Sequence, residues 1–433
     1  MCNAPLYEAL KSLAKRQPIR FSMPGHGGQS PLDTPVLFAA SLDFTELQET
    51  GNLYAEDTII AAAEALWAQK MGAENALFLT GGSSQGVRSA LLLLNLAGKK
   101  VLFGRDTHQS VDTALALLDI TPLYLQKVTA ETVQATLTNH QDIAALFVTS
   151  PSYYGVDLDI KALASLCKKE GIPLIVDEAH GAHYAFLTAK PQAVASGATV
   201  AVTSLHKTLP AMGQSALMTL SAGLPPAAAR RANMAFGTSS PSYIMLAQAD
   251  LLRAALERDG CPNLDAVHAL RQALIPLGLA DNDDPYRLHI MTAPFGYSGY
   301  EARGFLHKNG ILIELADKNS IVCILSFYHT ASDFETFLKA LKSLYGNNRP
   351  PLRVQETELP TLPARILSPR SAFLAKKEQR PLKSCTGCIA GQSLALFPPG
   401  TALVAPGELL TKESIDALLT FFPPDEPLLV CVK

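Results

Sequence analysis

Short apolar runs recur along the middle of the chain, separated by stretches whose apolar positions fall at helical spacing. The runs lie at 76–80, 101–104, 123–125, 144–149, 174–177, 200–204 and 216–220. They are too short for helices and apolar on both faces, as strands of a helix-covered, mainly parallel sheet must be. In the intervening segment 159–170, Ile160, Leu163, Ala164 and Cys167 share one helical face, and Lys and Glu take the other. Gly171-Ile172-Pro173 then supplies the Gly-before-Pro order of a helix C-terminus. Strands and helices alternating in this way predict an α/β domain.

The pattern changes after position 281. Segments 288–293, 311–314 and 321–327 read as strands, and 332–345 as one helix. Gly346-Asn347-Asn348-Arg349-Pro350-Pro351 reads as a linker, and the Pro- and Gly-rich remainder as a small appended unit. The expected organisation is a large α/β domain over 1–280, a small α+β domain over 281–346 and a C-terminal domain over 352–433.

Composition bears on partners more than on fold. Hydrophobic residues make up 48% of the chain and charged residues 17%, an ordinary globular balance with material for a large core. A net charge of −3, without any basic run interleaved with aromatics, argues against nucleic acid or a membrane surface as partner. Met1-Cys2-Asn3-Ala4-Pro5 has no charged region followed by an apolar stretch, so no signal peptide is expected. No segment approaches the ~20 apolar residues of a membrane span. The seven cysteines are odd in number and scattered, which suits a reducing cytoplasm.

Candidate chemistry begins at Ser204-Leu205-His206-Lys207-Thr208, directly after an apolar strand. A lysine placed there is partly desolvated, and desolvation favours the neutral amine that can form a Schiff base. Ser204, His206 and Thr208 can add donors for a phosphate. Taken alone, a solvated loop lysine is the commoner case. Earlier stands Asp177, in Leu174-Ile175-Val176-Asp177-Glu178-Ala179-His180-Gly181. A carboxylate at the carboxyl end of a buried strand lies where α/β folds bind ligands. Pyridoxal 5′-phosphate (PLP) needs such a carboxylate to keep its pyridine nitrogen protonated. Ala179 is small enough for a ring to lie flat on it. An Asp capping the next helix is the alternative, but an Asp strand followed by a Lys strand within one α/β unit is far more specific than either half.

Thr80-Gly81-Gly82-Ser83-Ser84-Gln85-Gly86 lies between the first strand and a helix expected over 87–96. Glycines permit a tight turn, a helix N-terminus offers free N–H groups, and Ser83 and Ser84 add hydroxyls. The segment is neither a Walker A loop nor a dinucleotide fingerprint; a phosphate site and a simple turn both fit it. His108 follows the next strand in Arg105-Asp106-Thr107-His108, where it can stack on a flat cofactor or be an ordinary loop histidine.

Together these segments resemble the Orn/Lys/Arg decarboxylase family of PLP fold type I, especially its shorter bacterial members. The resemblance runs through Met23-Pro24-Gly25-His26-Gly27, Asp43-Phe44-Thr45-Glu46-Leu47, the Gly-Ser-Ser segment at 82–84, Asp177 to Gly181, Ser204 to Leu209 and Thr238-Ser239-Ser240-Pro241-Ser242-Tyr243. It ends with Phe397-Pro398-Pro399-Gly400 and Pro406-Gly407-Glu408. It implies PLP as cofactor, Lys207 as its Schiff-base lysine, Asp177 on the pyridine nitrogen and His108 stacked on the ring. It also implies Ser83, Ser84, Gln85, Ser204 and His206 around the phosphate, His180 near an amino-acid substrate, and at least a homodimer.

Some positions depart from the family pattern. Gly27-Gly28 stands where the Pro-Gly-His motif usually runs on to a Lys, and Gly81 takes the place of an Asn. Cys388 and Gln392 replace an Arg and a Glu able to engage charged substrate groups. The lone Cys385-x-x-Cys388 pair and the His180/His183 pair lack further ligands at metal-site spacing, so no metal is expected. The expected reaction is α-decarboxylation of arginine, lysine or ornithine, with Lys207, His108 or His180 as proton donor. An aminotransferase or other lyase on the same fold is the alternative enzyme. A PLP-binding protein without turnover is the third, motivated by Cys388 and Gln392.

Overall fold

The structure is a computed structural model that describes residues 19–21, 51–188, 190–347, 349–353, 361–395 and 402–432. Strand β1 (Ile19–Phe21) and helix α1 (Ile59–Met71) precede β2 (Asn75–Leu79), α2 (Gly82–Leu93), β3 (Lys100–Gly104), α3 (Ser110–Leu118) and β4 (Thr121–Leu125). Next come α4 (Ala130–Asn139), β5 (Ile143–Thr149), α5 (Ile160–Glu170), β6 (Leu174–Asp177), β7 (Val200–Ser204), the single turn α6 (Leu205–Thr208) and β8 (Ala216–Leu220).

Strands β2 to β8 form one sheet in the order β2-β8-β7-β6-β5-β3-β4. The run from β7 to β4 is parallel throughout, and β8 runs antiparallel to both β2 and β7. This is the mainly parallel α/β sheet that the apolar runs predict. Helices α2 and α3 cover one face, where Val87, Leu91, Val111 and Leu115 pack on Phe103 and Phe147. Helices α4 and α5 cover the other, with Val133, Leu163 and Cys167 against Leu146 and Val176. Helix α5 starts where Asp159 accepts from the Ala162 N–H and stops at Gly171, whose φ of 69° is the left-handed cap anticipated there.

Helix α2 begins at Gly82, several residues before the apolar periodicity suggests. Two glycines explain the difference. Gly82 turns the chain at φ 66°, and a side chain at Gly86 would meet Val202 and Leu79 within 2.6 Å. Bare backbone there lets the helix N-terminus lie directly on the sheet, above the carboxyl ends of the strands. The glycines that hide this turn from the hydrophobic pattern are the ones that make it possible.

Beyond the sheet, α7 (Pro226–Phe236), α8 (Tyr243–Asp259) and α9 (Leu264–Leu274) lead to β9 (Arg287–Met291), α10 (Gly299–Lys308), β10 (Ile311–Ile313), β11 (Leu315–Ala316), β12 (Ser320–Ile324) and α11 (Ala331–Tyr345). Strands β11, β12 and β9 form an antiparallel sheet in that order. Two expectations change here. The segment at 311–313 joins no strand of that sheet but pairs in parallel with β1, Ile19 opposite Ile311. Helix α10 is an addition to the expected elements, because two glycines in ten residues weaken its periodicity. Its sequence signal is a capping box instead, in which Ser298 and Glu301 satisfy each other's backbone N–H groups. One apolar cluster joins these elements to the large sheet's flank through Trp67, Leu205, Leu252, Leu288, Phe327 and Phe337.

The remaining described elements are α12 (Pro369–Leu374), β13 (Lys377–Pro381), β14 (Ile389–Ala390), β15 (Leu394–Ala395), β16 (Ala402–Val404), α13 (Lys412–Leu419) and β17 (Pro427–Cys431). They surround their own apolar cluster of Leu382, Leu403, Leu410, Leu418, Leu428 and Val430. The motifs at 23–27, 43–47 and 397–400, with Gly28, lie outside the described residues. Among the described residues no helix is long and apolar enough to cross a membrane.

Candidate active site

Parallel strands end together, so the loops after their carboxyl ends are brought to one edge. Here β3 delivers Asp106 and His108, β5 delivers Ser152, Tyr153 and Tyr154, β6 delivers Asp177, Ala179 and His180, and β7 delivers Lys207. All of them, with Thr149, line one cavity of about 120 Å³.

Asp177 is 3% exposed and accepts the Ala179 N–H at 3.1 Å. Burial pushes its carboxyl up, and the charges of Lys207 and His108 oppose that. Burial drives the Lys207 amine down; Asp177 opposes this and the Arg287 guanidinium adds to it. His108 is held by its own turn: its Nδ1 accepts the Ser110 N–H at 3.0 Å, which leaves the Nε2–H free. His180 Nε2 lies 3.2 Å from Lys207 Nζ, and Arg287 Nη2 lies 3.0 Å from His180 Nδ1. Burial, then Lys207 and Arg287, holds the His180 imidazole well below its ordinary value.

The phosphate candidates separate into two groups. Ser83 and Ser84 sit half-buried in the first turn of α2, where the N–H groups have no intrahelical acceptor. Gln85 is buried and committed at both ends: its Oε1 accepts the Gly81 N–H at 2.7 Å and its Nε2 donates to the Asn233 carbonyl at 2.8 Å. It therefore shapes the turn. The His206 ring donates from Nδ1 to the Ser215 carbonyl at 2.9 Å. The hydroxyls of Ser204, Thr208 and Ser215 are buried with no hydrogen-bond partner among the described residues. Buried hydroxyls in native proteins are nearly always paired, so these orphans fit a ligand rich in acceptors. With a lysine, a buried carboxylate and a small residue lining one cavity, the set fits PLP.

Sequence reasoning missed Arg287, Tyr153, Tyr154, Glu314 and Asp106. Arg287 is wholly buried and enters from β9. Tyr153 donates to Glu314, which follows β10. No local signal marks Arg287 or Glu314, because a different sheet supplies them. Tyr153, Tyr154 and Asp106 carry a usable signal, since each lies within a few residues of the carboxyl end of a parallel strand. Of the departures, Gln392 lines an outer cavity of about 410 Å³ that shares His108 with the inner one. Cys388 lies elsewhere, with Arg380 Nη1 at 3.5 Å from its sulfur. His183 is taken up by Asp284 at 2.7 Å.

Glu178, beside Asp177, is 3% exposed and accepts from the Ala193 N–H at 2.8 Å and the Thr203 hydroxyl at 3.4 Å. Burial pushes its carboxyl from 4.5 up to about 8. The folded state then holds a proton that the unfolded chain releases. The stability this confers is complete below pH 4.5 and is lost as pH rises through about 8. Glu178→Gln does not titrate; its amide oxygen can keep the Ala193 N–H, and its NH2 can donate to the Thr203 hydroxyl in the reverse sense. It is expected to melt with the wild type near the acid end of that window and above it at the alkaline end. Melting curves at the two pH values check this; an equal difference at both would refute it.

A mainly parallel sheet with Asp177, Ala179 and Lys207 on its carboxyl edge defines the scaffold of the PLP fold type I enzymes. The constitutive lysine decarboxylase of Escherichia coli superimposes with a TM-score of 0.73 at 19% identity, over 99% of this chain and 82% of that one. Serine palmitoyltransferase of Sphingomonas wittichii does so with a TM-score of 0.61 at 16% identity, over 79% of this chain and 98% of that one. Within that class the family is shown by sequence: residues 4–264 match the major domain of Orn/Lys/Arg decarboxylase, and the chain belongs to that family. An arginine decarboxylase of Bacillus subtilis is 29% identical over 452 aligned residues, covering 95% of this chain and 92% of the relative.

Proposed function

We propose that this protein is a PLP-dependent decarboxylase of a basic amino acid (arginine, lysine or ornithine), with Lys207 as the cofactor-binding lysine. The observation that carries this reading is the convergence of Lys207, Asp177, His108, Ala179 and His180 on one cavity. Family membership supports the reaction class. PLP, when bound, supplies an aldehyde for an amine and a protonated ring that takes up electrons released at the substrate α-carbon.

The chain's own residues do the rest. Asp177, buried at the carboxyl end of β6, would pair with the protonated pyridine nitrogen, and the charges of Lys207 and His108 oppose the upward push that burial gives its carboxyl. His108, locked by Ser110, would pack its ring on the cofactor. Ser204, Thr208, Ser215 and the first turn of α2 direct donors at the phosphate. Lys207 would hold the aldehyde group through its amine and, when that amine is free, could carry a proton as base or acid. His180 Nε2, next to Lys207 Nζ, is the second proton carrier. The six described cysteines are all free, which supports a cytoplasmic setting, and the family resemblance supports a homodimer or larger assembly.

The test is direct. The purified protein is loaded with PLP and given arginine, lysine and ornithine separately, with CO₂ and amine product measured. CO₂ from one of the three, with the matching amine, is expected and names the substrate. A keto acid in place of CO₂ would move the protein to aminotransfer. Cofactor uptake with neither product would leave a binding protein without turnover.

A further inference from the structure

Arginine side chains donate and never accept, and their guanidinium stays protonated in proteins. Arg287 is wholly buried, and its Nη2 meets His180 Nδ1 at 3.0 Å. Nδ1 must therefore present its lone pair. A neutral imidazole so fixed carries its proton on Nε2, the nitrogen 3.2 Å from Lys207 Nζ. An ammonium at Lys207 would face that N–H with a proton of its own. A free amine would accept it. Only the second arrangement satisfies both contacts at once.

We propose, resting on the reading of Lys207 as the cofactor-binding lysine, that Arg287 is a positioning residue. By donating to Nδ1 it fixes His180 as the tautomer whose Nε2–H holds Lys207 as a free, nucleophilic amine.

The fold gives Arg287 its own anchor. Its Nε lies 3.9 Å from Asp284 Oδ2, while Asp284 Oδ1 is held by His183 at 2.7 Å and by the Tyr286 N–H at 2.8 Å. The guanidinium lies over the Tyr153 ring, 5.7 Å from its centroid, and Tyr153 meets His180 edge-on. The imidazole is therefore held from two sides. Groups of both signs face Lys207: Asp177 from β6, Glu314 after β10 and Asp106 after β3, against Arg287 from β9. The histidines around it are His108, His180 and His206, and His183 faces His180. Asp177 and Glu314 favour an ammonium, burial and the Arg287 charge oppose it, and the Nε2–H of His180 adds a donor that only the free amine can accept.

The experiment follows Lys207 in cofactor-free protein with an amine-modifying reagent, trinitrobenzenesulfonate, over the neutral to alkaline range. Modified peptides are located by mass. Wild-type Lys207 is expected to react at lower pH than surface lysines. Arg287→Met should raise its midpoint by about one pH unit, tenfold in free amine at neutral pH, and Arg287→Lys should restore most of that. His180→Ala should raise it similarly, and adding Arg287→Met in that background should raise it by clearly less than in the wild type, since only the direct charge of Arg287 then remains to be lost. An equal Arg287→Met shift with and without His180 would mean that Arg287 acts by charge alone, and would overturn the proposal. Should the methionine variant not fold, nitrogen NMR of wild-type protein decides: a proton on Nε2 of His180 supports the proposal, and a proton on Nδ1 overturns it. Failure of the wild type to take up PLP, with these midpoints as expected, would instead count against the functional reading alone.

Discussion

Lys207→Ala is expected to abolish the absorption band of lysine-bound cofactor and to lower CO₂ release by at least ~10³-fold, since one residue supplies both the nucleophile and a proton carrier. The fold should not suffer. Among the described residues, the Lys207 side chain is hydrogen-bonded to His180 at 3.2 Å, and burial already disfavours its charge. After removal of the amine, Asp177 keeps the Ala179 N–H and Glu314 keeps the Tyr153 hydroxyl. Melting temperature, absorbance with added PLP and CO₂ release, measured on the same preparation, separate the two effects. Retained activity in Lys207→Ala would remove the central assignment, whereas loss of activity together with loss of folding would show the side chain to be structural.

How much the sequence discloses depends on how far apart the cooperating residues lie. Strands buried on both faces announce themselves as apolar runs, so β6, β7 and β8 could be read to the residue. Strand β4 was legible only from Leu123 onward, because Thr121 and Pro122 break the run. Their place is allowed because β4 is the sheet's edge, where a missing N–H costs little. The antiparallel direction of β8 leaves no trace in hydrophobicity, since a strand buried on both faces looks the same either way. The same holds at the site. Asp177, His108 and Lys207 were legible because parallel strands bring their carboxyl ends together by rule. Arg287 and Glu314 come from another part of the chain, and no spacing rule connects them to His180 or Tyr153. Gln85 shows the remaining kind of shortfall: its position in a phosphate-type turn was visible, but its commitment to Gly81 and Asn233 depends on α7, packed there by the tertiary fold.

Glu408→Ala is expected to cost roughly 3–5 kcal/mol, the penalty for removing one partner of a buried ion pair. Glu408 and Arg105 are 3% and 2% exposed and meet through two contacts, at 2.5 and 2.8 Å. Arg365 Nη2 adds a third at 3.1 Å, and the Ala405 N–H a fourth at 2.8 Å. Without the carboxylate, two guanidinium groups stay close together over the Tyr124 ring, with Asp112, hydrogen-bonded to Ser393, as a remaining carboxylate near both. Arg105 also donates to the carbonyls of Ala402 and Leu403. It therefore ties the C-terminal segment, 303 positions away from its own, to the loop that carries His108. Hydrogen exchange checks both consequences. Amides at 402–410 and at 105–110 should lose protection in Glu408→Ala, with strands β5, β6 and β7 unchanged. Glu408→Gln, which keeps the shape and one acceptor, should fall between the two. If only 402–410 loosens, the pair anchors the C-terminal segment without setting the His108 loop. If both loosen, the affinity for PLP should fall with them on the proposed reading, in which the His108 ring would pack on the cofactor, because that ring is then held by its own turn alone.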